Sequence, residues 1–302
     1  MSRSNVSKAL IRQSQRGFTL VEIIVAMTIT SIIIGFVSMF MTAPVDAYMD
    51  QSERALLNDS SQRISRSMAE DLRSALPNSV RFSNVGSRAI VELLAVSSVS
   101  FYRSAGTFPP LLPNPDRELD FAGADTRFSL FGTLAAGSYL VVGNLGMGPR
   151  TDAYGLANSE VIAPLGSMGV VTDAVTKEQT VTINSPFRFK SPDVRNRLFV
   201  VTGPITYICN SAANARTLRR YQGYPLTQAI PTTETSPQLT AAVEQTTLAT
   251  DVASCRLSCR GVAAAFEPVC KDALAVEITI ERTTQAAPEV LRLFEQFPVD
   301  NK

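Results

Sequence analysis

The stretch QRGFTLVEII, Gln15–Ile24, places a single carboxylate, Glu22, at the threshold of a long apolar run. No charged residue occurs from Ile23 to Val45. A helix of about 20 apolar residues crosses the hydrocarbon core of a bilayer, so this run is long enough to span one. A carboxylate in such surroundings is costly unless something neutralises it, so Glu22 calls for a partner. On the other side of the stretch, residues 1–17 carry Arg3, Lys8, Arg12 and Arg16 and no acid. Basic flanks stay on the cytoplasmic side. This predicts a single-pass inner-membrane protein with its N-terminus inside and everything after about Val45 exported to the periplasm. An ordinary secretory signal is cut after its apolar core, at small residues; Ala43 and Ala47 do not make a clean site of that kind. Here a glycine, Gly17, precedes the core. A cut at Gly17 would remove the basic leader, 1–17, and leave the helix attached.

The rest of the composition bounds the function. The chain has 302 residues and a formal net charge of +1, which argues against a general electrostatic attraction to nucleic acid. It contains no histidine, so the commonest general base and the commonest zinc or copper ligand are missing. We therefore expect neither an enzyme nor a bound cofactor. The four cysteines, Cys209, Cys255, Cys259 and Cys270, all lie in the last third. In an exported domain they read as two disulfides rather than a four-thiolate zinc site, whose short paired knuckles are absent. Four cysteines allow three pairings; Cys209–Cys255 with Cys259–Cys270 is the one we prefer.

Patterning predicts an α+β fold. Residues 18–45 form the membrane half of one long helix. Residues 46–76 form its amphipathic half, with Ile64, Met68, Leu72 and Leu76 in a stripe of fours. Arg63, Arg66, Glu70, Asp71 and Arg73 suit its solvated face. Pro44 should kink or break the helix, and Pro77 should end it. Residues 77–302 read as an antiparallel β-rich domain. Its predicted strands are Ala89–Val96, Ser98–Arg103, Ser138–Asn144, Thr180–Asn184, Asn196–Gly203 and Leu274–Thr283. RLFVVTGPITYIC suggests a hairpin turning at Gly203-Pro204, with TLRRYQGY as a third strand beside it. Gln222–Asp251, rich in threonine with three prolines, reads as a long loop.

Three clusters suggest chemistry and are explained more simply. Asp116, Glu118 and Asp120 alternate in DRELD and could offer calcium three carboxylates, but an exposed strand suffices and no EF-hand spacing is present. Arg188, Lys190, Arg195 and Arg197 lie near Phe187 and Phe189. Such a mixture can bind single-stranded nucleic acid, yet inward phenylalanines alternating with outward cations account for it. GNLGMGPR fits neither a dinucleotide nor a phosphate-loop fingerprint and reads as a loop.

Gly17-Phe18-Thr19-Leu20-Val21-Glu22, behind its basic leader, resembles the processing motif of type IV prepilins and type II secretion pseudopilins. The resemblance implies cleavage after Gly17 by a prepilin peptidase and methylation of the new N-terminus, Phe18. It also implies docking of Glu22 on the N-terminal amine of a neighbouring subunit, which would be the missing partner. Partners would be the peptidase, major and minor pilin subunits and the inner-membrane assembly platform. Beyond that motif, DLRSALPNSVRF, GSYLVVGNLG, NRLFVVTGPITYIC and FEQFPVDN are similar to the O-component family of the mannose-sensitive haemagglutinin (MSHA) pilus system. That family is related to J pseudopilins and PilW-type minor pilins. CRLSCRGVAAAFEPVC departs from its pattern. The resemblance implies a minor subunit that primes assembly or caps the tip. Two alternatives are a J-type pseudopilin of type II secretion and a signal-anchored periplasmic binding domain that never polymerises.

Overall fold

The computed structural model describes residues 17–104, 118–165, 169–172, 178–263, 269–283 and 288–299. The chain divides into two compact units, Met1–Glu53 and Arg54–Lys302, with the division inside helix α1, Leu20–Arg73. In the first unit the helix is apolar all round: Ile23, Ile24, Ile29, Ile33, Phe36 and Phe40 are all exposed. Among the described residues one segment, Leu20–Phe40, is long and apolar enough to cross a membrane, and none of it is buried. The break expected at Pro44 does not interrupt α1. A proline deletes one ladder hydrogen bond, and the bonds of the neighbouring turns carry the helical backbone past it.

In the second unit the predicted stripe is the buried one. Leu57, Ile64, Met68 and Leu72 enter a core with the sheet. The helix stops at Arg73, short of Leu76, because the chain is captured by the sheet first. Ala75 bridges Ala95, and the Leu76 amide donates to the Leu94 carbonyl at 2.8 Å. Pro77 then excludes further helix, and Asn78 turns the chain at φ 59°.

The sheet is antiparallel and contains 13 strands among the described residues. Its centre is β2 (Arg88–Tyr102), flanked by β1 (Arg81–Val85) and by β8 (Arg197–Asn210), with β3 (Asp125–Phe131) and four further strands between β2 and β8 in sequence. β9 (Thr217–Gln222) and β10 (Glu244–Thr250) extend the β8 side. On the other side, β1 meets the long meander β11 (Val252–Ala263), β12 (Val269–Thr283) and β13 (Pro288–Pro298). Alternation sorts the faces. Val91 and Leu93 of β2 and Ile205 and Tyr207 of β8 face α1 and the meander. Ile90, Ile208 and Tyr221 face the opposite way, under Tyr224 and Leu239. A second core fills the space among β3, β4 (Tyr139–Val141), β5 (Ile162–Pro164) and β7 (Gln179–Phe187), with β6 (Gly169–Thr172) paired to β7.

Three strand expectations need correction. The two predicted strands around Ser97 are one, β2, with a register shift between Ala95 and Ser98. Gly203-Pro204 is not a hairpin turn, because β8 runs straight through it. Gly203 takes φ 150° opposite the same shift, which marks a bulge, and a bulge tolerates a proline that cannot donate. Gln222–Asp251 is not one long loop: it contains α2 (Pro237–Thr240) and β10. Three of its threonines, Thr246, Thr247 and Thr250, are β-branched residues of an edge strand paired with β9.

Candidate processing and docking site

The N-terminal site is built on the first turn of α1. Phe18 precedes the helix and is 78% exposed. Thr19 caps it: its Oγ1 accepts a hydrogen bond from the Glu22 amide at 3.3 Å, and its carbonyl accepts from Ile23 at 3.3 Å. Thr19-x-x-Glu22 thus has the spacing of a capping box, in which an acid at the third helical position also meets the positive end of the helix dipole. This local reason for a glutamate is also written in the sequence, as Thr-x-x-Glu, and stands beside the reading of Glu22 as a docking group. The Glu22 carboxylate has no side-chain partner among the described residues, and it is the one ionisable group between Leu20 and Phe40. Farther along, Thr28, Thr30, Ser31 and Ser38 each donate their hydroxyl to a carbonyl three or four residues back, at 2.7–2.9 Å. Hydroxyls satisfied within the helix do not oppose apolar surroundings. Glu22 stands as the exception.

In the second unit the charges close on one another. Asp71, expected on the solvated face, is 14% exposed and is gripped by Arg220 through two bonds, Nε at 2.7 Å and an Nη at 3.0 Å. The Tyr207 hydroxyl donates to the same carboxylate at 2.5 Å and meets Ser67 at 2.9 Å. Burial first, then the Asp71 charge, pushes the Tyr207 hydroxyl well above its usual range. This set ties α1 to β8 and β9.

Beneath the opposite face, Arg81 and Glu92 form an ion pair with side chains 2% and 0% exposed. Arg81 also donates to the carbonyls of Thr227 and Gln228, and its guanidinium lies 3.6 Å from the centre of the Tyr154 ring. Glu92 accepts from Tyr224 at 2.8 Å, and Tyr224 meets Thr206. Every charged atom in this pocket is therefore matched, as burial demands. The signal was in the sequence: Gly86-Ser87 is a two-residue hairpin turn, and counting outward from Val85↔Arg88 sets Arg81 opposite Glu92.

The other clusters resolve plainly. Asp116 lies outside the described residues. Glu118 and Asp120 are not in a strand, and the Asp120 carboxylate accepts the amides of Ala122 and Gly123 in a turn. No group of three or more metal-ligating side chains occurs among the described residues. The basic cluster splits in two. Arg188 and Lys190, with Arg150, surround Glu160. Partial desolvation opposes its ionisation, but the Lys190 hydrogen bond and these cations hold its carboxyl below the ordinary range. Arg197 grips Asp193 instead. Phe189 is buried and Phe187 packs on it edge-on, as the alternation predicts. GNLGMGPR is a loop whose Asn144 ties it to the helix exit, donating to the Pro77 carbonyl at 2.8 Å.

The cysteines pair as Cys209–Cys255 and Cys259–Cys270, with Cα separations of 6.1 and 5.6 Å. The first joins β8 to β11 across the core, and the second closes the β11–β12 hairpin.

Residues 12–38 match the family model of the prokaryotic N-terminal methylation motif. The chain has a type IV prepilin-like N-terminus. Proteins bearing this prepilin motif are processed by prepilin peptidase, and the apolar helix behind it fits a membrane-anchored protein. Comparison with curated proteins and with solved structures finds no significant match.

Proposed function

We propose that this chain is a non-enzymatic, minor pilin-like subunit of an MSHA-type type IV pilus. Its leader is cut after Gly17, Phe18 becomes the methylated N-terminus, and α1 enters the filament beside the helices of other pilin subunits. Glu22 pairs there with the amine of a neighbour's first residue. Two opposite charges meeting in a low-dielectric bundle neutralise each other, and each resists burial alone, so the pair sets the register of one subunit against the next. The C-terminal domain lies in the periplasm, where its cysteines oxidise, and there it contacts other minor subunits. The observation that carries this reading is an apolar helical segment, Leu20–Phe40, with none of it buried and with one carboxylate that has no side-chain partner among the described residues, inside a methylation motif.

The test is the intact mass and N-terminal peptide of the membrane-extracted protein, with and without the prepilin peptidase. A chain that begins at methylated Phe18 only when the peptidase is present supports the reading. A chain that keeps residues 1–17 in both would remove the basis for assembly. Loss of surface pili on deletion, with enzyme secretion intact, separates a pilus subunit from a J-type pseudopilin.

The capping geometry favours one competing reading. If Glu22 serves only to start α1, the protein is a tethered periplasmic binding domain and needs no neighbour. Glu22→Gln decides between them, because glutamine also serves at the third position of a capping box but carries no charge.

A further inference from the structure

The face of the sheet turned away from α1 is covered by the segment that carries Tyr224 and Leu239. At one corner this cover ends, leaving an open cleft of about 370 Å³ between the β8–β9 turn and the ends of β2, β9 and β10. Two rungs of the sheet form its floor. Arg88, Asn210 and Thr217 are cross-strand partners on one, and Arg219 and Thr247 are partners on the next. Thr217 and Arg219 point into the cleft because Leu218 and Arg220, between and beyond them, point to α1.

The two sides of the cleft differ in how well they are satisfied. On one side Arg88 donates to Glu234 at 2.9 Å and Asn210 donates to the other oxygen of the same carboxylate at 2.5 Å. That acid is neutralised in place. On the other side Arg219 has no carboxylate. Its Nε is shielded from solvent and has no hydrogen-bond partner among the described residues. The guanidinium lies 5.6 Å from the centre of the Tyr221 ring, a surface that orients it. Asn214, Thr217 and Thr247 line the same wall and make no side-chain hydrogen bond among the described residues. With Arg88 and Glu234 cancelling, the cleft keeps one net positive charge, at Arg219.

We propose that this cleft binds an oxyanion, a carboxylate or a sulfate, held by Arg219 and the Thr217 and Thr247 hydroxyls. A guanidinium fork matches the paired oxygens of such a group, and a charged acceptor makes the stronger hydrogen bond. The group is either a free inorganic ion or the acid of a sugar. The paired Glu234 sets the limit of the site: a second anion on the Arg88 side would be repelled.

The experiment uses the detergent-solubilised full chain. Sodium sulfate and sodium glucuronate are titrated separately against sodium chloride at matched ionic strength, and the thermal midpoint is followed. A saturable rise in the millimolar range is expected with at least one of the two. A response stronger for sulfate assigns a free ion, and one stronger for glucuronate assigns an acidic sugar. Arg219→Gln should weaken the response at least about tenfold, and Thr247→Val by less, since the charged donor contributes most. Without anion Thr247→Val should melt like the parent chain, because its hydroxyl has no partner among the described residues, and Arg219→Gln should melt close to it, since it gives up only the contact with the Tyr221 ring. No saturable response to either anion, or an unchanged response in Arg219→Gln, overturns the proposal.

Discussion

In its first unit α1 leaves Ile24, Ile33 and Phe36 open and leaves Glu22 without a side-chain partner; in its second it buries Ile64, Met68 and Leu72 and closes Asp71 on Arg220 and Tyr207. The same helix thus leaves apolar surface and a charge open in one stretch and satisfies both within the chain in the other. A group that is needed between molecules must be left unsatisfied within one. A group that only holds the fold is matched at once. The contrast separates residues whose loss should unfold the domain from residues whose loss, on the proposed reading, should stop assembly.

The sharpest test of the matched class is Arg81→Ala. It leaves Glu92 buried without its cation and should destabilise the domain by about 3–5 kcal/mol in chemical denaturation. The double variant Arg81→Met with Glu92→Leu should recover part of that loss, though Tyr224 and two carbonyls then lose partners. If the single variant were as stable as the parent, the matched network would not be holding the fold. Next come the cystines. Replacing Cys209 and Cys255 by serine opens the longer loop, a separation of 46 residues, and should cost about 4 kcal/mol. Opening Cys259–Cys270, a separation of 11, should cost about 3 kcal/mol. Urea midpoints would reverse in order if the links act by native-state strain instead. Asp71→Asn keeps the shape but weakens the Arg220 and Tyr207 bonds, for a loss of about 1.5–3 kcal/mol.

The acid and alkaline limits test the same satisfied charges. Desolvation disfavours the ionised forms of Asp193 and Glu234, but hydrogen bonds from Arg197 to Asp193, and from its own backbone amide, Asn210 and Arg88 to Glu234, outweigh it and lower both values. A lowered value adds stability above the unfolded pKa values of 3.8 and 4.5 and removes it as the pH falls through the folded ones. Tyr102 runs the other way: burial raises it from 10.0 to about 12, so its contribution is lost as the pH climbs across that interval. Denaturation midpoints should therefore fall at both ends and stay level between. The smallest effect on folding belongs to Glu22→Gln. Its melting should match the parent within about 0.5 kcal/mol, while piliation is lost if the open carboxylate serves a neighbour.

What could be read in the sequence follows from how local each cause is. The apolar run, the motif at Gly17–Glu22 and the stripe at Ile64, Met68 and Leu72 are written in consecutive or periodic residues, and an α+β chain with an exposed first helix follows from them. The straight passage of β8 through Gly203-Pro204 was hidden, because that dipeptide announces a turn and only the pairing with β2 makes it a bulge. Asp71 reads as solvated from the sequence because its partner is Arg220, far along the chain, on a strand whose register no local pattern fixes. The Thr19 cap and the Arg81–Glu92 rung are legible, from Thr-x-x-Glu and from Gly86-Ser87, because both causes are local.

If the domain is exported as proposed, the cystine pattern bears on the order in which the links form. Each cysteine pairs with its neighbour in sequence, the first with the second and the third with the fourth. With the N-terminus held inside and the residues after the anchor crossing in sequence order, Cys209 and Cys255 are both outside before Cys259 and Cys270 are both available. An oxidase that simply joins thiols in their order of arrival therefore makes the native set. The expected result is a correctly bonded protein in cells that lack a disulfide isomerase and scrambled or reduced protein in cells that lack the oxidase, read by peptide mapping of the unreduced chain.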